Sequence, residues 1–388
     1  ISRLAVAKGQ DDRLWVVWQN SPSGETYYSW ANASSARSAS EWSGSQWIAK
    51  IPLNAGGYSV AIDRGGAISI FYSMMIDEGR GIYLIQSRDQ GKTWSDPLQI
   101  FDGVAAGWRI VSKPSAAVSA DGYLSVLFGQ QFSEDDRTIF GLSAAFSKDR
   151  GATWTPQETV TTQPVIWYRA LADSSAQFHR VWLEKNGNNQ LLLLHQASSN
   201  DGATWGRVER IAALEGSVGK AEATMDVAGR IHLIDYINDL QNDQIVIEYR
   251  LWKGSSWTLV DSHSLGIGKL DSGDLLSAGI TPGGVLGLVL SRSTFGSDPY
   301  QRYKAISAFY RRIDVPKVTT TPMPPLLAET APAQVQSTAT QKPTPTIDLT
   351  ILRQGPPSNG GSTIGGLLIA LVASILVIGG GAGYAFYR

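Results

Sequence analysis

An eight-residue pattern that recurs along the chain restricts its fold more than any other feature of the sequence. The pattern, Ser-x-Asp-x-Gly-x-Thr-Trp, occupies residues 87–94, 147–154 and 198–205. The third copy has Asn200 in place of the aspartate, and shorter relatives end at Trp47 and Trp257. The five tryptophans are 47, 60, 51 and 52 residues apart. Periods of about 50 residues are typical of propeller blades, each of which is a sheet of four strands.

Each unit also contains an earlier signal, in which two apolar segments flank a short turn. The clearest case is residues 114–128, PSAAVSADGYLSVLF, where alternation on both sides of an Asp-Gly turn predicts a β-hairpin. Similar segments occupy residues 4–18, 59–72, 170–182, 222–236 and 277–290. They divide the chain into six units, so we expect residues 1–314 to be all-β. The predicted fold is a six-bladed β-propeller of four-stranded antiparallel blades.

Two further segments follow the globular part. Residues 315–362 are dominated by Pro, Thr, Ala and Gln and lack a periodic apolar pattern, which predicts a disordered, extended stalk. Residues 364–387 contain no charged side chain, and a helix of about 20 apolar residues can cross a membrane. We therefore expect residues 363–388 to form one transmembrane α-helix with a short cytoplasmic end. The propeller is then predicted to be extracellular, at the cell surface of a single-pass membrane protein.

The composition argues against several classes of partner and cofactor. The chain has a formal net charge of −1, and nucleic-acid binding requires a basic surface, so no nucleic acid is expected. It has no cysteine, which rules out disulfides and thiolate metal sites. Its four histidines do not have the spacing of metal ligands. We expect neither a metal ion nor another cofactor, and the sequence leaves the oligomeric state open.

The repeated residues have a structural explanation. Ser and Asp side chains can bind the backbone N–H groups of a tight turn, Gly supplies a positive φ, and Trp packs a large ring against neighbouring blades. We therefore assign the repeated positions to structure and not to chemistry. They are Ser87, Asp89, Gly91, Trp94, Ser147, Asp149, Gly151, Trp154, Ser198, Asn200, Gly202 and Trp205.

These copies resemble the Asp boxes, or BNR repeats, of the sialidase (neuraminidase) superfamily. The resemblance covers residues 1–314 and implies a glycoside hydrolase with a tyrosine nucleophile, an Asp acid/base and an Arg-Ile-Pro motif in the first inner strand. Here Arg3, Leu4 and Ala5 stand at the position of that motif, without its proline. Asp274 stands where the family has its tyrosine. The missing tyrosine predicts slow or absent hydrolysis.

Basic residues recur where the first strand of each unit begins. Counting back from each turn aligns Arg3, Gly57, Lys113, Arg169, Lys220 and Asp274. We expect the four basic residues, Arg3, Lys113, Arg169 and Lys220, to converge on the central channel and bind the carboxylate of an acidic sugar. Alternatively, they are solvated charges at the rim or pair with acidic loop residues.

Two acidic residues and one tyrosine are the catalytic candidates. The loop with Asp77 and Glu78 should overhang the channel beside Arg3 and Lys113, so these carboxyl groups are the acid/base candidates. Tyr236 ends a predicted strand next to Asp235 and is the candidate substitute for the missing nucleophile.

Three functions remain open on the sequence alone. The first is a membrane-anchored propeller that binds a glycan or glycoconjugate, with acidic sugars favoured, and lacks efficient hydrolysis. The second is a divergent exo-α-sialidase or related glycoside hydrolase. The third is a protein-binding Asp-box propeller that assists the assembly of membrane complexes. A tyrosine beside a carboxylate in an Arg-lined pocket favours the enzyme, whereas a flat or filled channel mouth favours a protein partner.

Overall fold

The computed structural model describes residues 2–9, 11–132, 139–173, 177–188, 190–214, 219–239, 244–267, 276–281, 284–295 and 302–315. These residues form strands joined by tight turns, with one short 3-10 turn at Ala39–Glu41. The prediction that residues 1–314 are all-β is confirmed for the part of that range that the structure describes. The strands of the first half are β1 (Ser2–Lys8), β2 (Arg13–Gln19), β3 (Thr26–Asn32), β4 (Gln46–Trp47), β5 (Ala55–Ile62), β6 (Ile68–Met74), β7 (Gly81–Ser87), β8 (Leu98–Asp102), β9 (Ile110–Val111), β10 (Ser115–Val118), β11 (Leu124–Gln131) and β12 (Ile139–Ser147).

The second half continues the same alternation of strand and turn. Its strands are β13 (Glu158–Ala172), β14 (Phe178–Lys185), β15 (Leu191–Ser198), β16 (Glu209–Leu214), β17 (Gly219–Met225), β18 (Ile231–Asp239), β19 (Gln244–Trp252), β20 (Trp257–Ile267), β21 (Leu276–Ile280), β22 (Val285–Phe295) and β23 (Arg302–Arg312).

Consecutive strands pair antiparallel, and they form five sheets. Strands β1–β4, β5–β8 and β17–β20 make three separate four-stranded sheets, and β21–β23 make a three-stranded one. The remaining sheet has eight strands and runs in order from β10 to β16, with β9 paired to β11. These meanders confirm a propeller-like architecture, and the count of six blades stays a prediction.

Strand β13 links two parts of the eight-stranded sheet. It is 15 residues long. Its first part pairs with β12, from Glu158 opposite Ala144 to Val165 opposite Ile139. Its second part pairs with β14, as far as Ala172 opposite Phe178. One continuous strand is therefore the last strand of one meander and the first strand of the next.

The core lies between successive sheets, because strand side chains alternate between the two faces. On β6, Ile68, Ile70 and Tyr72 pack toward the first sheet, whereas Phe71 packs on the opposite side. The first strands of the meanders also touch in chain order: β1 with β5, β5 with β10, β10 with β13, β13 with β17 and β17 with β21. This order places the first strands around a common axis.

The repeated Ser-x-Asp-x-Gly-x-Thr-Trp segments form closed, hydrogen-bonded turns. In the first copy Ser87 Oγ donates to Asp89 Oδ1 at 2.8 Å and accepts from the Gly91 N–H at 2.7 Å. Asp89 Oδ1 also accepts from the Thr93 N–H at 2.9 Å. Hydrogen bonds from Thr93 lower the pKa of Asp89 to about 2. In the third copy Asn200 Oδ1 accepts from the Thr204 N–H at 2.9 Å, so the amide reproduces the acceptor role of the carboxylate.

Each turn closes against a neighbouring sheet. Gly91 has φ 84°, and a Cβ on it would lie 2.8 Å from the Tyr28 hydroxyl of the first sheet. Trp94 packs edge-on against the same tyrosine, with ring centroids 5.6 Å apart. Trp154 packs in the same way against Phe71, at 5.8 Å. The turns therefore help to fix the spacing between sheets.

The predicted stalk and membrane helix fall almost entirely outside the described residues, which end at residue 315. Within the part of the chain that the structure describes, no helix has the length and apolar character needed to span a bilayer.

Candidate functional site

A cavity of about 980 Å³ lies on the axis around which the first strands meet. Residues of β1, β5, β10, β13, β17 and β21 line it. Much of the wall consists of small side chains, including Ala5, Ala61, Ala116, Ala170 and Ala278. These small residues leave the cavity open between the first strands of the described residues.

Charged side chains on the cavity wall fall into two groups. Lys8 Nζ and Asp12 Oδ1 form an ion pair at 2.7 Å beside the turn that follows β1. Lys113, Arg169 and Glu222 form the second group, with Arg169 Nε 3.4 Å from Glu222 Oε1. The Arg169 side chain is 44% exposed and the Glu222 side chain 15%. Arg169 therefore combines a fixed contact on its Nε side with access to solvent in the cavity.

Arg3 has an unusual backbone conformation at the start of β1. Its φ is 53°, and the register between β1 and β2 shifts between Ser2 and Ala5. The left-handed region is unfavourable for a residue with a Cβ, and such strain concentrates at functional positions. The side chain donates from Nη1 to the carbonyl oxygen of Ala55, so Arg3 lies against the start of the next first strand.

The four predicted basic residues differ in their position relative to the cavity. Lys113 lies against Gly57, where an added Cβ would come within 2.2 Å of the lysine Cβ. Lys113 and Arg169 line the cavity, whereas Arg3 and Lys220 do not. Lys220 is on β17 two residues before Glu222, opposite Tyr236 in the register of β18. Asp274, the sixth aligned position, lies outside the described residues.

Two cavity tyrosines were not anticipated from the sequence. The hydroxyl of Tyr58 is 2.7 Å from Thr26 Oγ1, and that of Tyr168 is 2.7 Å from Ser112 Oγ. Burial raises the pKa of both phenols, so each keeps its proton at neutral pH. Their hydroxyls form buried hydrogen bonds that hold neighbouring meanders together. The signal in the sequence is their position next to a predicted strand start, at Gly57 and Arg169.

The acid/base candidates lie outside the cavity wall. Asp77 and Glu78 are exposed in the turn between β6 and β7, and neither lines the cavity. Asn54 donates to Asp77 Oδ2, next to the Ala55 carbonyl that holds Arg3. The loop therefore lies near Arg3 without placing its carboxyl groups on the cavity surface.

Tyr236 is completely buried, and this position does not suit a nucleophile. Its ring packs with Ile234, Ile245 and Leu288 between the β17–β20 sheet and the β21–β23 sheet. It does not line the cavity and is therefore separated from any ligand held there. The physical reason is strand alternation, which turns Tyr236 toward one sheet interface and its neighbour Asp235 toward the other.

Neither the cavity nor the rest of the described chain offers a metal centre. No three His, Asp or Glu side chains among these residues stand close enough together to hold an ion.

Comparison with known proteins gives a likeness of fold without a likeness of sequence. No protein-family model matches the chain, and no curated protein matches its sequence. Its structure is similar to an ulvan lyase of a new family of polysaccharide lyases, bound to -[GlcA(1-4)Rha3S]-, with a TM-score of 0.51 and 11% identity over 79% of each chain. A second structure of an ulvan lyase of that family has a TM-score of 0.51 and 10% identity over 80% of each chain.

Sialidases also occur among the proteins of similar structure. A Hadza microbial sialidase has a TM-score of 0.47 and 16% identity, over 74% of this chain and 62% of that one. At such identities the two lyase structures establish a shared propeller fold and nothing further.

Proposed function

We propose that the chain is a glycan-binding propeller whose central cavity holds an acidic sugar. The observation that carries this proposal is Arg169, a guanidinium held by Glu222 at Nε and exposed to a large open cavity. A guanidinium can give two parallel hydrogen bonds to a carboxylate or sulfate. Lys113 adds a second positive charge on the same wall. Pockets for small molecules are typically about 300–1,000 Å³, so the cavity has room for one or two sugar rings.

The proposed propeller has six blades. First strands from six meanders line the cavity, and the double pairing of β13 supplies two of those meanders from one sheet. The last blade would contain β21, β22 and β23, the three strands of this sheet that lie within the described residues. An experimental map with five or seven strands around the axis would contradict this count.

Binding has more support than hydrolysis. The cavity tyrosines are protonated and hydrogen-bonded, and the carboxyl groups of Asp77 and Glu78 are not on its wall. A divergent sialidase or related hydrolase is therefore the alternative, and rapid release of free sugar from a sialoside or a uronide would favour it. A propeller that binds proteins is expected to have a flat or filled channel mouth. The axial cavity is open and therefore gives that function less support.

Arg169 provides the direct test. Arg169→Ala should weaken binding of an acidic oligosaccharide by about 1.5–3 kcal/mol, the range for a hydrogen bond to a charged group. Arg169→Lys should also weaken it, because an ammonium group cannot form the same pair of bonds. The control is Arg64→Ala, an exposed arginine in the turn between β5 and β6. Calorimetric titration with an oligoglucuronate should separate the variants, and equal affinity for all of them would remove the cavity site.

We further propose that residues 363–388 anchor the propeller in a membrane through the stalk at 315–362. The uncharged segment at 364–387 supports this. Truncation after Val315 should release a soluble, folded protein and retain the bond from Arg230 Nη2 to the Asp314 carbonyl at 2.8 Å. The full chain should stay in the membrane pellet after a carbonate wash. If the truncated chain also stays there, the assignment of the anchor is wrong.

A further inference from the structure

A second cavity lies between two of the repeated turns, away from the axis. Its volume is about 370 Å³, and it opens between the turns at 147–154 and 198–205. It shares no lining residue with the central cavity. We call it the inter-turn groove, and its wall combines the rings of Phe146, Trp154 and Trp205 with polar side chains.

The two tryptophans of the inter-turn groove are held in fixed orientations. The guanidinium of Arg180 lies over the Trp205 ring, 4.0 Å from its centroid. Arg180 is itself fixed, because it donates to Glu158 and, at 2.7 Å, to Gln196 Oε1. The Trp154 indole N–H donates to the Gly151 carbonyl at 3.2 Å. Both rings are half-buried, so part of each aromatic surface remains open to the groove.

Rigid, partly exposed indole rings favour a flat ligand with polarised C–H groups. The face of an aromatic ring carries partial negative charge, and the C–H groups on the apolar side of a pyranose carry partial positive charge. Thr155 Oγ1 accepts from the Phe146 N–H at 3.0 Å, which leaves its own proton for a ligand hydroxyl. The groove thus offers a stacking surface and a nearby donor, which together suit a sugar ring.

Charge indicates which sugars fit best. Lys148 lines the groove with its Nζ 6.0 Å from the Phe146 centroid, and no carboxylate within the described chain lies at ion-pair distance from it. The one acid on the wall, Glu158, is already paired with Arg180. The groove therefore presents a cation whose charge is not matched by a carboxylate of the described residues, and an anionic substituent on the ligand would supply the match.

We propose that the inter-turn groove is a second saccharide site, which binds a pyranose bearing a carboxylate or sulfate group. The ring would stack on Trp205 and Trp154, and its anionic group would meet Lys148. This site is independent of the central cavity and goes beyond the function proposed for it.

The test separates the groove from the cavity by working in the full chain with Arg169→Ala already present. The probes are methyl β-D-glucuronide and methyl β-D-glucoside, with affinities from saturation-transfer NMR titrations. Lys148→Gln should lower the affinity for the glucuronide at least fivefold and leave the affinity for the glucoside unchanged. Ala203→Phe places a ring in the groove and should abolish binding of both sugars, because Ala203 is on its wall.

Matched variants make the outcomes decisive. Ala152→Phe changes the equivalent residue of the preceding repeat, and Arg88→Gln changes the residue of the first repeat that corresponds to Lys148. Neither residue lines the groove, so both variants should bind like the Arg169→Ala parent. Loss of glucuronide binding in Ala203→Phe alone among the phenylalanine variants supports the site. Equal binding by both phenylalanine variants, or no glucuronide binding by the parent, overturns the proposal whatever the result for Arg169.

Discussion

Replacing Arg250 with methionine should lower the free energy of unfolding by up to about 3–5 kcal/mol above neutral pH, where its carboxylate partner would be ionised, the usual cost of leaving a buried charge without its partner. Its buried partner is Asp235, whose side chain is completely buried on β18 and accepts from Arg250 Nη1 through Oδ2. The other oxygen of Asp235, Oδ1, has no hydrogen-bond partner among the described residues. Arg250 also donates from Nη2 to Glu248 Oε2, on its own strand β19. Methionine keeps most of the volume of the arginine stem, so the loss reports charge and not packing.

The loss of stability caused by Arg250→Met should increase with pH. Burial raises the pKa of Asp235 to about 7, in spite of the attraction of Arg250, and removal of the guanidinium should raise the pKa further. A carboxyl whose folded pKa lies above the unfolded value of 3.8 binds a proton preferentially in the folded state. Its contribution to stability is therefore present at low pH and is lost as the pH rises through the folded pKa. Urea titrations should show a larger deficit at about pH 8 than at about pH 5.

Two control variants separate this effect from a simple loss of packing. Arg250→Met combined with Asp235→Leu and Glu248→Gln removes all three charges and should recover most of the stability, because apolar replacement of a buried pair is often neutral. Arg311→Met breaks an exposed pair with Asp261 and should cost less than about 1 kcal/mol. A triple variant as unstable as Arg250→Met would show that the guanidinium stabilises the fold by packing.

Acidification should destabilise the fold through a second buried pair, His179 and His195. Their ring nitrogens Nδ1 and Nε2 are 3.0 Å apart, and both side chains are almost inaccessible to solvent. The Trp257 indole N–H donates to His195 Nδ1 at 3.2 Å, so His195 carries its proton on Nε2 and donates to His179. Burial lowers the pKa of His179 to about 4 and that of His195 to about 3. Both rings are therefore neutral in the folded protein near pH 7.

The direction of the effect follows from these depressed values. The unfolded chain, with a histidine pKa of 6.5, binds protons before the folded protein does. The contribution of the two histidines to stability is therefore complete above pH 6.5. It falls as the pH decreases, by about 1.4 kcal/mol per pH unit for each ring. The two rings together should cost roughly 5 kcal/mol between about pH 6.5 and pH 4.5. Two carboxylates face the pair, Glu209 at 3.6 Å from His195 Nδ1 and Asp173 near His179, and they reduce this cost.

Variants without the titrating rings isolate this contribution from that of Asp235, which has the opposite sign. His179→Gln with His195→Gln should flatten the dependence of the unfolding free energy on pH below about 6.5. His263→Gln alters an exposed histidine on β20 and should leave the slope unchanged. If the double glutamine variant loses stability on acidification as steeply as the parent, the buried imidazoles are not the cause. The two single variants give the same information should the double variant fold poorly.

The all-β fold could be predicted because its determinants are local. An Asp-Gly turn between alternating segments determines a hairpin, and the Ser, Asp and Gly of each repeat form their turn within eight residues. Counting residues back from those turns predicts four basic residues at the channel, of which Lys113 and Arg169 line the cavity and Arg3 and Lys220 do not. These predictions needed no knowledge of how the sheets approach one another.

The rest of the candidate site depends on contacts between sheets, which a single sequence does not specify. Glu222 meets Arg169 only because β13 and β17 lie side by side, and Tyr168 reaches Ser112 across the interface between β10 and β13. The groove beside Trp205 depends likewise on the spacing of two turns some 50 residues apart. Tyr236 is next to Asp235 in the sequence, but strand alternation turns the two side chains toward opposite sheet interfaces.

The double pairing of β13 has a consequence for how the chain can come apart. The first two meanders are joined by residues 48–54, which lie outside any strand, so the backbone can be cut or lengthened there without loss of sheet hydrogen bonds. Between β12 and β14 the junction is itself a paired strand, and a cut there would leave edges exposed on both sides. Residues from β10 to β16 should accordingly open as one foldon, so a circular permutant or a split-protein pair would need its new termini elsewhere.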